Sequence, residues 1–563
     1  MKTSLEIAQE AKKLPIKKIS NSIGLNEEDI DLYGKYMAKI NLSKEKKDQI
    51  LNKPVGKYIL VTGTNPTPAG EGKTTTSIGL TQGLSLLGHK TIVTLRQPSL
   101  GPIFGTKGGA AGALYSQVLP MEDINLGLTG DFGKIESAHN LLSAMLDNHI
   151  FRGNKLDLDL SSIQWPRVMD MNDRALREIV VALGDQTKNG TARVSGFDIT
   201  AASEIMSLIG LSNDLPDLKK RLGQIIVGRN RQGKLVTAAD VKATGSMATL
   251  LRNVLLPNLV QTTEGQACIM HTGPFGNIAH GCSSIIGDEL ALHLADYVVT
   301  EAGFGSDLGA EKFFNIKCRQ SGMYPNAVVL VTTIKALKMH GGLPYDKNKV
   351  QEENFEALIA GLSNLKKHMS NLIGFGSPVV VALNYFPTDT EKEIDIVKTA
   401  SLESGAYGFA LNKGAVDGGK GAIDLANMVL KAVETNPNPK RSFTYKLTDS
   451  IEEKIVKIAK TIYGAKEVKI SPKAQQKIDS FKKDGYNDLP ICMAKTHLSL
   501  SSDPKLLGAP SDFTVDIDDI RLNAGSGFIY PLVGSILTMP GLGAIPSAEG
   551  ISIDDEGVVS GLF

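Results

Sequence analysis

The chain has 563 residues, 42% of them hydrophobic and 21% charged, with a formal net charge of +1. This composition is typical of a folded globular protein with several domains of about 150 residues each. The near-neutral charge argues against a nucleic-acid or anionic-membrane partner, and no apolar run reaches the length of about 18 residues that predicts a membrane span.

The N-terminal stretch MKTSLEIAQEAKKLPIKKIS has no apolar core of the kind found in signal peptides. The four cysteines are dispersed and form no CxxC pair. We therefore expect reduced, mostly buried thiols rather than disulfides or a zinc site. These features favour a cytoplasmic location.

The first chemical signal is a glycine-rich turn, TNPTPAGEGKTTT, between an apolar strand at 58–63 and a helical pattern at 74–87. The order strand, loop, helix is typical of a triphosphate site, even though a threonine replaces the first glycine of GxxxxGK[ST]. Glycines let backbone N–H groups turn inward, and the helix N-terminus faces the anion. The residues expected to bind the nucleotide are Thr67, Pro68, Ala69, Gly70, Glu71, Gly72, Lys73, Thr74 and Thr75.

Two side chains of this loop have specific expected roles. Lys73 can neutralise the β- and γ-phosphates of a bound nucleoside triphosphate, and the hydroxyl of Thr74 or Thr75 can reach Mg²⁺. An ordinary glycine-rich strand–helix turn is the alternative interpretation.

Strand-like and helical patterns alternate along much of the chain, which predicts an α/β fold: a P-loop NTPase-like parallel sheet flanked by helices, with additional smaller α/β domains. Ligands bind such sheets at the carboxyl ends of the strands. Beyond 58–63, strands are expected at 91–96, 297–303, 327–333, 378–384 and 408–412, and helices at 350–373 and 390–404.

Three further positions lie where this edge of the sheet is expected. Arg96 ends the second strand, where its fork of donors suits a carboxylate or phosphate, with a surface ion pair as the alternative. Asp131 follows a glycine in LTGDFGK, where a carboxylate can hold a cation or an amine, or only cap a helix. Phe304, Gly305 and Gly309 follow the 297–303 strand and either approach a ligand or form a structural turn.

The chain resembles the formate–tetrahydrofolate ligase family along essentially its whole length. The motifs that carry the resemblance are TPAGEGKTT, LRQPSLGP, TGDF, DMNDRALR, GFDITAASE, GPFGNIAHGC, TEAGFGSDLGAEKF, KALKMHGG and TMPGLGAIPSAEG.

The resemblance implies an enzyme that makes 10-formyltetrahydrofolate in two steps. Formate attacks the γ-phosphate of ATP to give formyl phosphate, and the N10 amine of tetrahydrofolate then displaces phosphate. Lys73, Arg96 and Asp131 would be the catalytic residues, Arg96 holding formate and formyl phosphate, with Gly305 and Gly309 backing the intermediate. The resemblance also implies Mg²⁺ with ATP, activation by a monovalent cation such as K⁺ or NH₄⁺, and a homotetramer.

Several positions depart from the family pattern. Gln97 stands where a glutamate is usual beside the formate arginine, and Gly133 replaces a histidine. Phe386 matches one aromatic of the pterin sandwich, but Ala415 stands in place of the tryptophan on the other side. Two alternatives therefore stay open: a formate-activating ligase with a different amine or altered pterin acceptor, and a catalytically impaired paralogue with a binding or regulatory role.

Composition along the chain, with a turn- and Pro-rich boundary at 433–443, suggests three domains. Residues 1–365 would bind nucleotide and formate, with a helical insertion around 136–260. Residues 366–440 would contribute to the acceptor pocket, and residues 441–563 would form a C-terminal α/β domain with a Gly/Pro-rich tail.

Overall fold

The computed structural model describes residues 2–105, 111–534 and 536–562. One large mixed sheet organises it, and its central part is parallel. Gly112–Ala113 and Ser116–Leu119 pair beside its main path. In spatial order that path runs Ile30–Tyr33, Met37–Ile40, Asn258–Thr262, Ala267–Met270, Thr91–Leu95, Tyr297–Glu301, Lys57–Gly63, Ala327–Thr332, Val379–Asn384 and Gly408–Asn412.

The seven strands from Ala267–Met270 to Gly408–Asn412 are all parallel. Their side chains alternate between two apolar cores: Leu60 belongs to one, and its neighbours Ile59 and Val61 belong to the other. A sheet covered on both faces explains why these strands read as continuous apolar runs. The predicted α/β fold with a helix-flanked parallel sheet is confirmed.

Helices cover both faces of the sheet and form most of the insertion. The longer α-helices are Ser4–Glu10, Ile16–Ser22, Lys44–Leu51, Lys73–Leu86, Asp131–Phe151, Glu204–Leu211, Leu215–Gln224, Thr244–Leu251, Ile285–Leu294, Ile334–His340, Phe355–Gly374, Glu391–Glu403, Gly414–Gly421, Ile423–Thr435, Ile451–Ile458 and Pro472–Lys483. None in the described ranges is long and apolar enough to cross a membrane.

Smaller sheets lie outside the main one. The insertion has its own apolar core, which contains Trp165. The C-terminal part is built on a three-stranded sheet, Glu467–Ile470, Thr514–Asn523 and Phe528–Val533. Among the described residues there are four further two-stranded sheets. Three are antiparallel, Ile179–Val181 with Arg193–Ser195, Ile226–Arg229 with Leu235–Thr237, and Ser552–Ile553 with Val559–Ser560, and one is parallel, Arg167–Met169 with Phe197–Ile199.

The observed bounds differ from the expected ones in a few places. The 91–96 strand ends at Leu95, so Arg96 is the first residue beyond it. The helix expected at 350–373 spans Phe355–Gly374. Strands Val379–Asn384 and Gly408–Asn412 lie in the segment 366–440, and they continue the large sheet by pairing, in turn, onto Ala327–Thr332.

Two glycines allow a close helix–helix contact beside the sheet. A Cβ on Gly361 would lie 1.8 Å from the carbonyl oxygen of Leu337, and one on Gly341 would lie 1.8 Å from that of Ala357. The helices Ile334–His340 and Phe355–Gly374 therefore touch backbone to backbone at these two glycines, and no larger residue fits there.

We predict that Gly361→Ala lowers the free energy of unfolding by about 1–3 kcal/mol, because the new methyl group overlaps a backbone oxygen. Thermal or denaturant unfolding measures this. Gly374→Ala is the matched control in the same helix, since a Cβ there meets nothing within 4 Å. Equal stability of the two variants would contradict the packing argument.

Candidate functional site

The glycine-rich loop between Lys57–Gly63 and Lys73–Leu86 has the backbone form that the sequence predicted. Gly70 and Gly72 have φ of 74° and 77°, in the left-handed region that favours glycine. Gly72 is the residue before the helix, and no side chain caps the helix there. The first N–H groups of the helix are therefore available to an anion.

The Glu71 side chain stabilises the loop through a hydrogen bond and an ion pair with other loop residues. One oxygen of its buried carboxylate accepts from the backbone N–H of Thr67 at 2.7 Å, and the other lies 3.4 Å from Lys73 Nζ. Asn384 donates to the Glu71 carbonyl at 3.3 Å. Loop and lysine are thus positioned by contacts within the described chain.

A carboxylate that the sequence analysis did not single out joins the loop to Arg96. Glu301 is the last residue of Tyr297–Glu301, the strand between the loop strand and the Arg96 strand. Its Oε2 accepts from the Thr74 hydroxyl at 2.7 Å, and its Oε1 lies 3.6 Å from Arg96 Nη2. One buried carboxylate therefore contacts both the phosphate loop and the candidate formate residue.

The Arg96 side chain is held at the carboxyl edge of the sheet. Nη1 donates to the Pro274 carbonyl at 3.1 Å, and a Cβ on Gly303 would lie 2.6 Å from Nη2. The guanidinium lies against Gly303, which has no side chain to displace it, and 22% of the arginine side chain is exposed. Its position near the loop agrees with the expectation from the strand order.

Asp131 lies in a closed network rather than on an open surface. It begins the helix Asp131–Phe151 and is 2% exposed. Its oxygens bind Lys39 Nζ at 2.8 and 3.0 Å, Gln97 Nε2 at 2.7 Å and Asn258 Nδ2 at 2.9 Å. A carboxylate with this many donors is a structural anchor more than a proton acceptor.

The glycine-rich turn after Glu301 packs against the protein itself. A Cβ on Gly309 would lie 2.0 Å from the Gly303 carbonyl oxygen, and one on Gly305 would lie 2.5 Å from Asp307 Oδ1. Phe304 has a φ of 59°, and its ring lies 4.5 Å from that of His497. In this structure the glycines serve a tight turn, and Phe304 contacts the C-terminal region.

Phe386 and Ala415 follow neighbouring strands. Asn384 and Asn412 pair near the strand ends, so both segments leave the same edge of the sheet. Lys335 Nζ lies 3.9 Å from the centre of the Phe386 ring, a cation–π distance. The carbonyl of Ala415 accepts from Tyr115 N–H at 3.1 Å.

A cleft of about 350 Å³ opens beside the loop, lined by Ser4, Gly72, Lys73, Thr74, Thr75, Ala111, Gly112, Ala113, Met121 and Asn125. The buried side-chain amide of Asn125 has no hydrogen-bond partner in the described chain. Such an amide needs a partner, because an unpaired buried polar group costs about 1–3 kcal/mol. The cleft is therefore suited to a polar ligand next to the phosphate loop.

Sequence reasoning missed Glu301, Lys39 and Asn258. Glu301 had a detectable signal, an acidic residue at the end of an apolar strand, but its neighbour in the sheet was unknown. Lys39 and Asn258 are far from Asp131 in sequence, and no local pattern marks them. Among the described residues, no cluster of three or more His, Cys, Asp or Glu side chains forms a metal site.

Two comparisons with known proteins found matches over the length of the chain. A family model described as formate–tetrahydrofolate ligase matches residues 2–563. A curated formate–tetrahydrofolate ligase from Desulforamulus reducens is 51% identical over 568 residues, which cover 100% of this chain and 99% of the relative.

We predict that Gln97→Glu destabilises the fold at neutral pH by about 2–4 kcal/mol, because two carboxylates would then meet in the buried network. Denaturant unfolding at pH 7 measures the difference in the free energy of unfolding, with exposed Gln476→Glu as control; equal stability of Gln97→Glu and the parent protein would contradict the argument.

Proposed function

The chain belongs to the formate–tetrahydrofolate ligase family, and from this we propose which role each of its site residues has in the reaction. The activity is the ATP-dependent ligation of formate to tetrahydrofolate, a carbon–nitrogen bond-forming reaction. The observation that carries the residue roles is the Glu301 carboxylate, which contacts Thr74 and lies near Arg96.

In this proposal the loop residues 67–75 hold the triphosphate. Backbone N–H groups and the start of the helix at Lys73 surround the phosphates, and the lysine ammonium neutralises the γ-phosphate. The nucleoside lies in the adjoining cleft, where the unpaired amide of Asn125 supplies a donor and an acceptor.

Thr74 and Glu301 fit the Mg²⁺ that accompanies ATP. A loop hydroxyl and an acidic side chain at the end of the neighbouring strand are the groups that hold this ion in P-loop enzymes. Their oxygens are 2.7 Å apart, and the carboxylate is buried. When bound, the ion neutralises charge that develops on the transferring phosphoryl group.

Arg96 holds formate on the other side of Glu301. Its fork pairs with a carboxylate and, after phosphoryl transfer, with the phosphate of formyl phosphate. Formate oxygen attacks the γ-phosphorus and ADP leaves. The N10 amine then attacks the formyl carbon, the carbon–oxygen bond to phosphate breaks, and the amine loses its proton.

The acceptor pocket is proposed at Phe386 and the segment around Ala415. Phe386 presents one ring face to a pterin, and Lys335 lies on that ring. Alanine at 415 provides no second stacking face, whose loss costs about 0.5–1.5 kcal/mol beyond area burial. Full-length similarity at 51% identity favours tetrahydrofolate over a different acceptor or an inactive paralogue.

Two further properties rest on the family resemblance and stay proposals. A homotetramer is one, and light scattering of the purified protein tests it. A cytoplasmic location is the other, supported by four buried cysteines that form no disulfide. We also retain the three-part division at 365 and 440 as a proposal about domains.

We predict that Arg96→Ala lowers formate-dependent phosphate release and 10-formyltetrahydrofolate formation about 10²- to 10³-fold, because the carboxylate loses its charge partner. ATP binding, measured by calorimetry, should stay within about twofold. Arg167→Ala, which breaks an ion pair with Asp147 in the insertion, is the control. Formate-dependent phosphate release that stays near the parent rate in Arg96→Ala would contradict the assignment.

We predict that Glu301→Gln raises the Mg²⁺ concentration needed for half-maximal activity by about 10- to 100-fold, because the ion loses a carboxylate while the side chain keeps its size. Titration of Mg²⁺ at fixed ATP measures the change. Glu204→Gln is the control: burial raises the pKa of this carboxyl to about 8, so the substitution removes little charge near neutral pH. An unchanged Mg²⁺ requirement in Glu301→Gln would refute the role.

A further inference from the structure

The Asp131 network contains a complete buried ion pair. Lys39, in the strand Met37–Ile40 next to the sheet edge, is 1% exposed, and both oxygens of Asp131 lie within 3.0 Å of its ammonium. The same ammonium donates to the Leu256 carbonyl at 3.0 Å. The carboxylate that can hold a cation or an amine is therefore already bound by an amine from this chain.

The remaining positions around Asp131 are also filled. Gln97 and Asn258 both direct amide nitrogens at its Oδ2, at 2.7 and 2.9 Å. Asn258 fixes its own orientation by donating to the Met270 carbonyl and accepting from the Thr129 hydroxyl. The carboxylate thus receives three nitrogen donors, and its negative charge is matched by one ammonium.

These residues do not fit an added monovalent cation. K⁺ is held by several oxygens that replace its hydration shell. Around Asp131, in the described chain, donor nitrogens occupy the places where those oxygens would be, and a second positive charge would lie beside Lys39 in a buried site. Gln97 is neutral where a glutamate would add the second negative charge that such an ion needs.

We propose that the Lys39 ammonium is a built-in substitute for the activating monovalent cation, and that this enzyme turns over without K⁺ or NH₄⁺. Lys39 is a positioning residue. It binds Asp131, Asp131 accepts from the Gln97 side chain, and the Gln97 N–H donates to the Thr272 carbonyl at 2.6 Å. Gln97 directly follows Arg96, so this chain of contacts fixes the backbone from which the formate residue projects.

The first test uses the unmodified enzyme. Formyltetrahydrofolate synthesis is measured at constant ionic strength in choline chloride, KCl and NH₄Cl, with saturating Mg²⁺ and ATP. We expect rates within twofold of one another. Activation of several-fold by K⁺ or NH₄⁺ would overturn the proposal, while absence of product in every salt would instead refute the ligase activity itself.

The second test removes the tethered ammonium. Lys39→Ala should raise the KM for formate at least tenfold in choline chloride and leave the KM for ATP within twofold. Added NH₄Cl should restore the formate KM in this variant, because free ammonium can enter the vacated position beside Asp131. A rise in both KM values, or no response to NH₄Cl, would count against Lys39 as a cation substitute.

The matched control is Lys46→Ala, which removes a lysine paired with Asp29 in the same N-terminal region at 3.3 Å. It should not respond to NH₄Cl. Since an unpaired buried carboxylate can prevent folding, the double variant Lys39→Met with Asp131→Asn provides a second measurement. It carries no charge to attract an ion, so its formate KM should be the same in choline and ammonium salts; ammonium rescue of this variant would refute the proposal.

Discussion

The structure depends on one buried carboxylate at the end of a central strand. Glu301 has two neighbours at the sheet edge, the Thr74 hydroxyl and the Arg96 guanidinium. A buried charge is tolerated only when it is paired or can bind an ion. Its position brings the phosphate loop and Arg96 together at one edge of the sheet, as the proposed reaction between ATP and formate requires.

The parallel sheet makes that arrangement possible. Three neighbouring strands end at Gly63, Leu95 and Glu301, and all run in one direction. Their carboxyl ends meet at one edge although the residues are far apart in sequence. Apolar side chains on both faces bury the strands in two cores, so small shifts of one strand against the next are opposed by close packing on both sides.

Sequence reasoning predicted the features that local chemistry determines. The glycine loop, the helix at 73–86, the parallel strands and the place of Arg96 follow from turn residues, apolar runs and strand direction. Glu301 required knowledge of which strands are neighbours, and the Lys39–Asp131 pair joins residues 92 positions apart. For the glycines after Glu301 the sequence left two interpretations open, approach to a ligand or a structural turn, and in the structure Gly309 meets the backbone of Gly303. Composition cannot separate these two uses of glycine.

The Lys39 ammonium is covalently attached to the chain. The entropy cost of placing a positive charge beside Asp131 is therefore met when the chain folds. A free ion gives up translational freedom each time it binds, and its occupancy follows the salt content of the surroundings. A lysine gives up its side-chain freedom once, as the chain folds. Under the role proposed for Lys39, the hairpin at the sheet edge therefore keeps the backbone beside Arg96 in one position whatever the salt content of the surroundings.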